Sequence, residues 1–464
     1  MSRTIALFGG SFNPPGLHHR LIAEELERHF DEVVIVPWGP RPEKPTTNDV
    51  EPVHRATLAD IAFRGLARTR VELFDLEQAT FTPTDELDAR FAAEGETWHV
   101  VGADLVVGGA RGESFVQTHW EGGREFWEQL RFVVIGRRGY ELDAADLPPH
   151  SRFLTMDAPT DVASAAIREL IFKREPFFQL VPPDVVDYID RYGLYRGRIA
   201  SRRTRFVPGR PRIIIFADER NERARGWAEK LREFECDESP TCIVALGGDG
   251  TMLRAIRAHW RRRLPFVGIN AGHLGFLLNS PESMFGSGFP PGDLIVRQLP
   301  MLYVELMKPD GSSETALAFN DAWVERETSQ SAWVKVKVND RTRIAKLVAD
   351  GVLVSTAAGS TAYARSMGCA PLLADTPGWL LAGSNVMSPP NWKSALLSTE
   401  STVELSSVGG EKRPLRAFVD GQDFGHVTGL CARQSRIAAV ELGFCRQHDM
   451  AEKIAQIQFP ADAA

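Results

Sequence analysis

Short apolar runs separated by longer stretches of mixed polarity recur along the chain up to about residue 300, and beyond it the spacing tightens. Residues 4–8 form an apolar run that stops at Gly9 and Gly10, the pattern of a buried strand entering a loop. After the prolines, Leu17, Leu21, Ile22, Leu26 and Phe30 fall on one side of a predicted helix, with Glu24, Glu25, Glu27 and Arg28 on the other. Further runs at 33–36, 98–101 and 132–135 leave room between them for helical crossovers. Strands alternating with helices predict a mostly parallel sheet covered on both faces.

Residues 198–211 break this rhythm with a cluster of arginines and two prolines, Pro208 and Pro211. They read as a basic interdomain linker, the alternative being a basic arm for an acidic partner. Strand-like runs resume at 213–216, 243–246 and 266–269. Beyond residue 300 the runs at 302–306, 333–338, 352–354, 403–405 and 417–419 are short, and several alternate. Val334, Val336 and Val338 face one way while Lys335 and Lys337 face the other, which predicts a half-exposed strand. The expected fold class is α/β throughout, with a doubly wound domain at 1–197 and a second domain at 212–464. The second splits into an α/β part at 212–300 and an all-β part at 301–445.

Composition narrows the class of protein without naming a chemistry. A chain of 464 residues exceeds one ordinary core, and 43% apolar with 25% charged residues is the balance of a water-soluble globular protein. A net charge of -7 argues against nucleic acid as main partner, because phosphate-backbone binding shows as a basic surplus. Five cysteines without CxxC spacing suggest neither a disulfide framework nor a zinc site, so a reducing cytoplasm is the expected location. With no basic leader and no apolar stretch of membrane-span length, neither export nor a membrane partner is expected.

The first candidate site is the loop from Gly9, Gly10, Ser11 and Phe12 to His18 and His19, between a predicted strand and a predicted helix. A glycine turn there lets backbone N–H groups approach phosphate oxygens, while the helix start supplies positive potential. This run resembles the opening of the nicotinate or nicotinamide mononucleotide adenylyltransferases, whose loop reads GGSFNPPHxGH. The loop at 37–44, Gly102-Ala103-Asp104, Arg137-Arg138-Gly139, the segment 162–168 and the stretch 180–195 match that family in order. The resemblance implies a Rossmann-like nucleotidyltransferase domain in which a mononucleotide phosphate attacks the α-phosphorus of ATP, usually with magnesium. It implies that His19 and Arg168 stabilise the triphosphate with Ser164 and His18 nearby, and that Gly102 and Asp104 line the nucleotide site.

Three departures bear on that activity. Where the family has HxGH, this chain has Gly16, Leu17, His18, His19; where it has SSTxIR, this chain has Ala163, Ser164, Ala165, Ala166, Ile167, Arg168. An acidic Glu43 stands in the Pro42-Glu43-Lys44 loop. Each lost donor to a developing charge costs on the order of 3 kcal/mol in a transition state.

The second candidate site is Gly247-Gly248-Asp249-Gly250-Thr251, directly after an apolar run. An Asp-Gly pair is also a common turn. The surroundings decide: Asn270-Ala271-Gly272-His273-Leu274-Gly275-Phe276, then Asn320-Asp321, Asp350-Gly351, the run ending Gly359-Ser360-Thr361-Ala362-Tyr363, and Asp420-Gly421-Gln422. This ordered set resembles NAD kinase over residues 212–445. The resemblance implies transfer of the ATP γ-phosphate to the 2′-hydroxyl of the adenosine ribose of NAD. Asp249 would be the general base, since a poorly nucleophilic hydroxyl needs a proton acceptor in reach. Asn320 and Asp321 would hold ribose hydroxyls, Tyr363 and Phe276 would pack on ligand rings, and Thr361 and Ala362 would line the pocket with Asp350.

The two resemblances together imply a fusion of two steps of pyridine nucleotide metabolism, with ATP, NAD and magnesium or another divalent cation as ligands. No protein side chain stands out as a metal ligand. Direct succession of the steps requires the amidated mononucleotide. Two alternatives are a non-catalytic amino-terminal sensor that regulates the kinase, and a lipid kinase sharing the glycine-aspartate-glycine loop. Partners are expected to be small nucleotides, with self-association through the kinase domain.

Overall fold

A computed structural model describes residues 3–41, 49–136, 142–156, 163–197, 200–207, 209, 211–286 and 288–459. Pro42, Glu43 and Lys44, Arg137-Arg138-Gly139, and Val162 lie outside the described residues, as do 198, 199, 208 and 210 of the expected linker. The chain divides into two compact units, Met1–Ser201 and Arg202–Ala464.

In the first unit, strands β1 (Thr4–Gly10), β2 (Glu32–Pro37), β3 (Thr69–Val71), β4 (Glu96–Gly102), β5 (Phe132–Ile135) and β6 (Ser151–Leu154) form one sheet in the order β3-β2-β1-β4-β5-β6. Every pairing is parallel. Buried runs such as 33–36 and 132–135 are apolar on both faces because helices cover both. Helix α1 (Leu17–His29) follows β1, and α2 (Pro52–Ala62), α3 (Ser164–Lys173) and α4 (Pro183–Tyr192) come later. Ile22, Leu26 and Phe30 of the predicted stripe are buried, but Leu17 is 37% exposed and Leu21 half-buried, while His18 and Ala23 are buried beside them. An imidazole has taken a place that a polar-apolar pattern reserves for leucine.

The second unit opens inside the expected linker. Arg203–Phe206 is a strand (β7) whose pairing with β11 (Leu294–Met307) is antiparallel, with Phe206 opposite Leu294. Strands β8 (Ile213–Ala217), β9 (Cys242–Gly247) and β10 (Phe266–Asn270) are parallel neighbours, crossed by helices α5 (Glu222–Leu231) and α6 (Asp249–His259). The remaining strands are β12 (Ser313–Ala318), β13 (Asp321–Arg326), β14 (Ala332–Val338), β15 (Arg341–Ala349), β16 (Gly351–Thr356), β17 (Trp379–Ser384), β18 (Ser394–Leu397), β19 (Thr402–Ser407), β20 (Leu415–Val419), β21 (Gln422–Val427) and β22 (Gly429–Phe444). Helix α7 (Met450–Gln458) ends the described chain.

The α/β and β-rich parts are not separate bodies with a boundary at residue 300. β10 pairs with β22, so one ten-stranded sheet runs from β8 through β22 to β14 and β15. β11 and β22 are long enough, at 14 and 16 residues, to serve both parts. A second sheet, β18-β17-β16-β13-β20-β21, faces the first. Val334, Val336, Leu405 and Leu430 meet Val324, Val352, Val354 and Val419 in the core between them. The alternation expected at 333–338 is observed, with Val334 and Val336 inside and the lysines half-buried.

Candidate functional site

Within the second unit, Gly248 precedes α6 and Asp249 is its first residue. Nothing stands within 4 Å of a Cβ placed on Gly248 or Gly250, so the helix start is open on that side. A Cβ on Gly247 would collide with the Thr251 side chain, whose hydroxyl accepts a hydrogen bond from Arg254 Nη2 (3.2 Å). Asp249 is not a dangling carboxylate. Its Oδ2 accepts the Phe276 N–H (2.9 Å) and its Oδ1 the Leu277 N–H (3.0 Å). Burial pushes its pKa up, against the two N–H groups and the Lys453 ammonium, which pull it down. Phe276 thus reaches the site through its backbone. Its ring is buried with Met252, Ala255 and Ala358.

The Asn320-Asp321 turn is organised by Asp420, at φ 48° between β20 and β21. Asp420 Oδ1 accepts the N–H groups of Asn320 (2.8 Å) and Asp321 (3.1 Å), and Oδ2 that of Phe319 (2.8 Å). From the other side Thr356 donates to Phe319 O (2.6 Å) and Ser355 to Asn320 O (3.1 Å). Gly359 lies so close to the Asn320 carbonyl that a Cβ there would overlap it. The turn is therefore rigid, yet its side chains are unspent. Asn320 Oδ1 is buried with no hydrogen-bond partner among the described residues. Asp321 is 4% exposed, and burial, then the charge of Asp420, lifts its pKa to about 7.

Tyr363 is 38% exposed and meets Trp323 edge-on at 5.1 Å; Trp323 in turn stacks on Phe418 at 5.0 Å. Burial, then the charges of Glu325, Asp321 and Asp350, raise the Tyr363 pKa, so its ring stands among these carboxylates. Asp350 is already paired, with Asn385 Nδ2 (2.7 Å) and Arg326 Nε (2.7 Å), and these hold its pKa low. Thr361 is half-buried and Ala362 exposed, in the short turn leading to Tyr363. Arg257 of α6 donates to Asp420 O (2.6 Å), which ties the helix that starts at Asp249 to the Asn320-Asp321 turn. Among the described residues no group of three or more His, Cys, Asp and Glu side chains is placed to hold a metal ion.

In the first unit, Gly9 and Gly10 end β1 and Gly102 ends β4. These neighbouring strands lead to opposite sides of the sheet, so the glycines lie at its topological switch point, where ligands bind in open α/β sheets. Half-buried Asp104 follows in a short 3-10 turn. Phe12 has φ 42°, and Arg55 Nη2 donates to Ser11 O and Trp38 O at 2.7 Å each. His19 Nδ1 accepts the Gly16 N–H (2.9 Å), and the rings of His18 and His19 lie 3.8 Å apart. Ser164 donates to Pro14 O (2.9 Å), Arg168 to Asn13 O (2.6 Å) and Tyr195 to Asn13 Oδ1 (2.7 Å). Ser164 and Arg168 bond to the loop that carries Gly9 to His19, Arg55 and Tyr195 join them unforeseen, and Gly102 and Asp104 stand at the end of the neighbouring strand.

Comparison with known proteins divides the chain the same way. The model of the ATP-NAD kinase N-terminal domain matches residues 201–287, and that of the cytidylyltransferase-like family matches residues 7–170. The NAD kinases of Rickettsia akari and Rickettsia felis are each 32% identical over 231 residues, 50% of this chain and 90% of theirs. The crystal structure of an NAD kinase from Archaeoglobus fulgidus in complex with ATP aligns at 21% identity and a TM-score of 0.39, covering 52% of this chain and 97% of that one.

Proposed function

The chain belongs to the NAD kinase family, and we propose that its second unit phosphorylates NAD at the 2′-hydroxyl of the adenosine ribose, with ATP as donor, to give NADP. The observation that carries this reading is the Asp249 carboxylate on the first turn of α6, beside a glycine-flanked helix start that is open at Gly248 and Gly250. Such a start suits phosphate oxygens, and a carboxylate there is placed to accept the hydroxyl proton. The ribose oxygen bonds to the γ-phosphorus as the bond to the ADP oxygen breaks, and the proton passes to Asp249. Magnesium enters with ATP as part of the substrate. Asn320 and Asp321 hold ribose hydroxyls, which suits a rigid turn with an unpartnered buried amide oxygen. Tyr363, backed by Trp323, presents a ring face to the ligand, with Thr361 and Ala362 beside it. The likeness to NAD kinases favours this reading over the lipid-kinase alternative.

For the first unit, the cytidylyltransferase-like match and the switch-point glycines support nucleotide binding, and we assign to it adenylyl transfer from ATP to a pyridine mononucleotide. The mononucleotide phosphate oxygen would bond to the α-phosphorus while pyrophosphate leaves. Arg168 and Ser164 favour the second reading, a binding domain without turnover, because each donates to the loop's own carbonyls. Incubating the purified full chain with MgATP and either NAD, nicotinamide mononucleotide or nicotinate mononucleotide, with products identified by mass spectrometry, tests both units. NADP from NAD is the expected product of the second unit, and its absence sinks that assignment. A dinucleotide from either mononucleotide decides for transfer over mere binding.

A further inference from the structure

We propose that Lys453, on the carboxy-terminal helix, is a positioning residue of the kinase site: it fixes the loop 275–278 by its carbonyls and keeps a positive charge beside Asp249. The inference rests on the reading of Asp249 as the base.

Lys453 Nζ donates to Gly275 O (2.7 Å) and Leu278 O (2.8 Å). Between those carbonyls lie the two N–H groups that Asp249 binds, those of Phe276 and Leu277. One short loop is therefore gripped on its donors by Asp249 and on its acceptors by Lys453. The helix that carries Lys453 is itself anchored: Met450 and Ile454 share a core with Met252, Ala255, Phe276 and Leu278.

Burial lowers the Lys453 pKa while the charge of Asp249 raises it, so each group favours the charged form of the other. His448, just before α7, approaches Lys453 Nζ with Nδ1 at 3.5 Å. Burial, then the charges of Lys453 and Arg297, push its pKa down to about 3, against Asp449, so it is neutral at working pH. On the other side stand Arg254, which donates to Thr251, and Asp218, whose Oδ2 is 3.5 Å from the Thr251 hydroxyl. Lys453 opposes the rise that burial imposes on the Asp249 pKa, and a base must be deprotonated to act.

The test is the pH profile of kcat/KM for NADP formation by the full chain, Lys453→Met and Lys453→Arg, with thermal melts of each. Without the ammonium the Asp249 pKa rises, so the acid limb of Lys453→Met moves to higher pH. Its loss of activity is several-fold at the acid end and narrows at alkaline pH, and Lys453→Arg brings the limb back. An acid limb that stays in place while the rate falls equally at every pH makes Lys453 a structural anchor only and overturns the proposal. If Lys453→Met does not fold, Lys453→Gln, which keeps a donor and loses the charge, is judged by the same criterion. A parent chain that makes no NADP sinks the kinase reading itself, whereas an unmoved limb in an active enzyme sinks only this inference.

Discussion

The ring of His18 occupies the space that any side chain at Gly16 would need: a Cβ at position 16 would stand 2.5 Å from His18 Nδ1 and 3.2 Å from Ile167 Cδ1. An imidazole is thus present near position 16 although that position is a glycine. Gly16→Ala should destabilise the first unit by about 1–3 kcal/mol, the usual cost of overpacking. In Gly16→Ala/His18→Ala most of that increment should vanish, a coupling that denaturant melts of the two single variants and the double variant would read directly. Additive costs would mean that the two positions do not compete for space. The geometry also predicts that His18→Ala lowers ATP binding or dinucleotide synthesis, and that Gly16→His/His18→Gly brings no gain.

Asp249→Asn should reduce NADP formation by about 100-fold or more, the range for loss of a positioned base. The carboxylate also has a structural task. Asparagine offers one acceptor where Phe276 and Leu277 require two, so one N–H faces an amide donor. A stability loss of about 1–3 kcal/mol should accompany the kinetic defect. Turnover measured well below the melting transition separates the two, and near-parental kcat there would remove Asp249 from the chemistry.

The parallel strands were readable because each is a compact apolar run, such as 243–246, buried on both faces. β11 was read only at 302–306 and β22 not at all, because Arg297, Gln298 and Pro300 in one and Arg433, Gln434 and Arg436 in the other interrupt the apolar pattern. The candidate residues showed as motifs, but what holds them did not. Asp420 was visible as part of the Asp420-Gly421-Gln422 motif but without a role; that role depends on β13 lying beside β20, a pairing between segments about a hundred residues apart. Lys453 lies 178 and 175 residues from its partners, in a helix with no local motif.

Asp321 makes stability depend on pH with a definite sign. Its folded-state pKa, about 7, exceeds the ordinary aspartate value of 3.8, so between these limits the folded chain binds more protons than the unfolded one. The contribution is fully present below the lower value and is lost as pH rises through about 7. Asp321→Asn removes the titration. The variant should therefore gain stability relative to the parent as pH rises from ~4 to ~7, by on the order of a few kcal/mol at most, and gain no more above that. Urea melts of both proteins across that range provide the measurement. A difference independent of pH would place the Asp321 carboxyl in a wetter or better-paired setting than the one described.

The strand inside the expected linker sets where the kinase unit can be cut. A fragment beginning at residue 212, the boundary that the sequence suggests, deletes β7 and opens one edge of β11 from Leu294 to Arg297, where β22 pairs only the other edge. It also removes Arg205, which pairs with Asp293 at 2.6 Å. Exposed strand edges lose ladder hydrogen bonds and invite association with other chains. A fragment beginning at Arg202, where the second compact unit starts, keeps both features. The longer fragment should stay monodisperse and phosphorylate NAD, while the shorter one melts several degrees lower and aggregates at the same concentration. Thermal melts and light scattering of the two fragments decide the matter. Equal stability would mean that β7 contributes nothing to the fold, and the basic segment could then be treated as a connector after all.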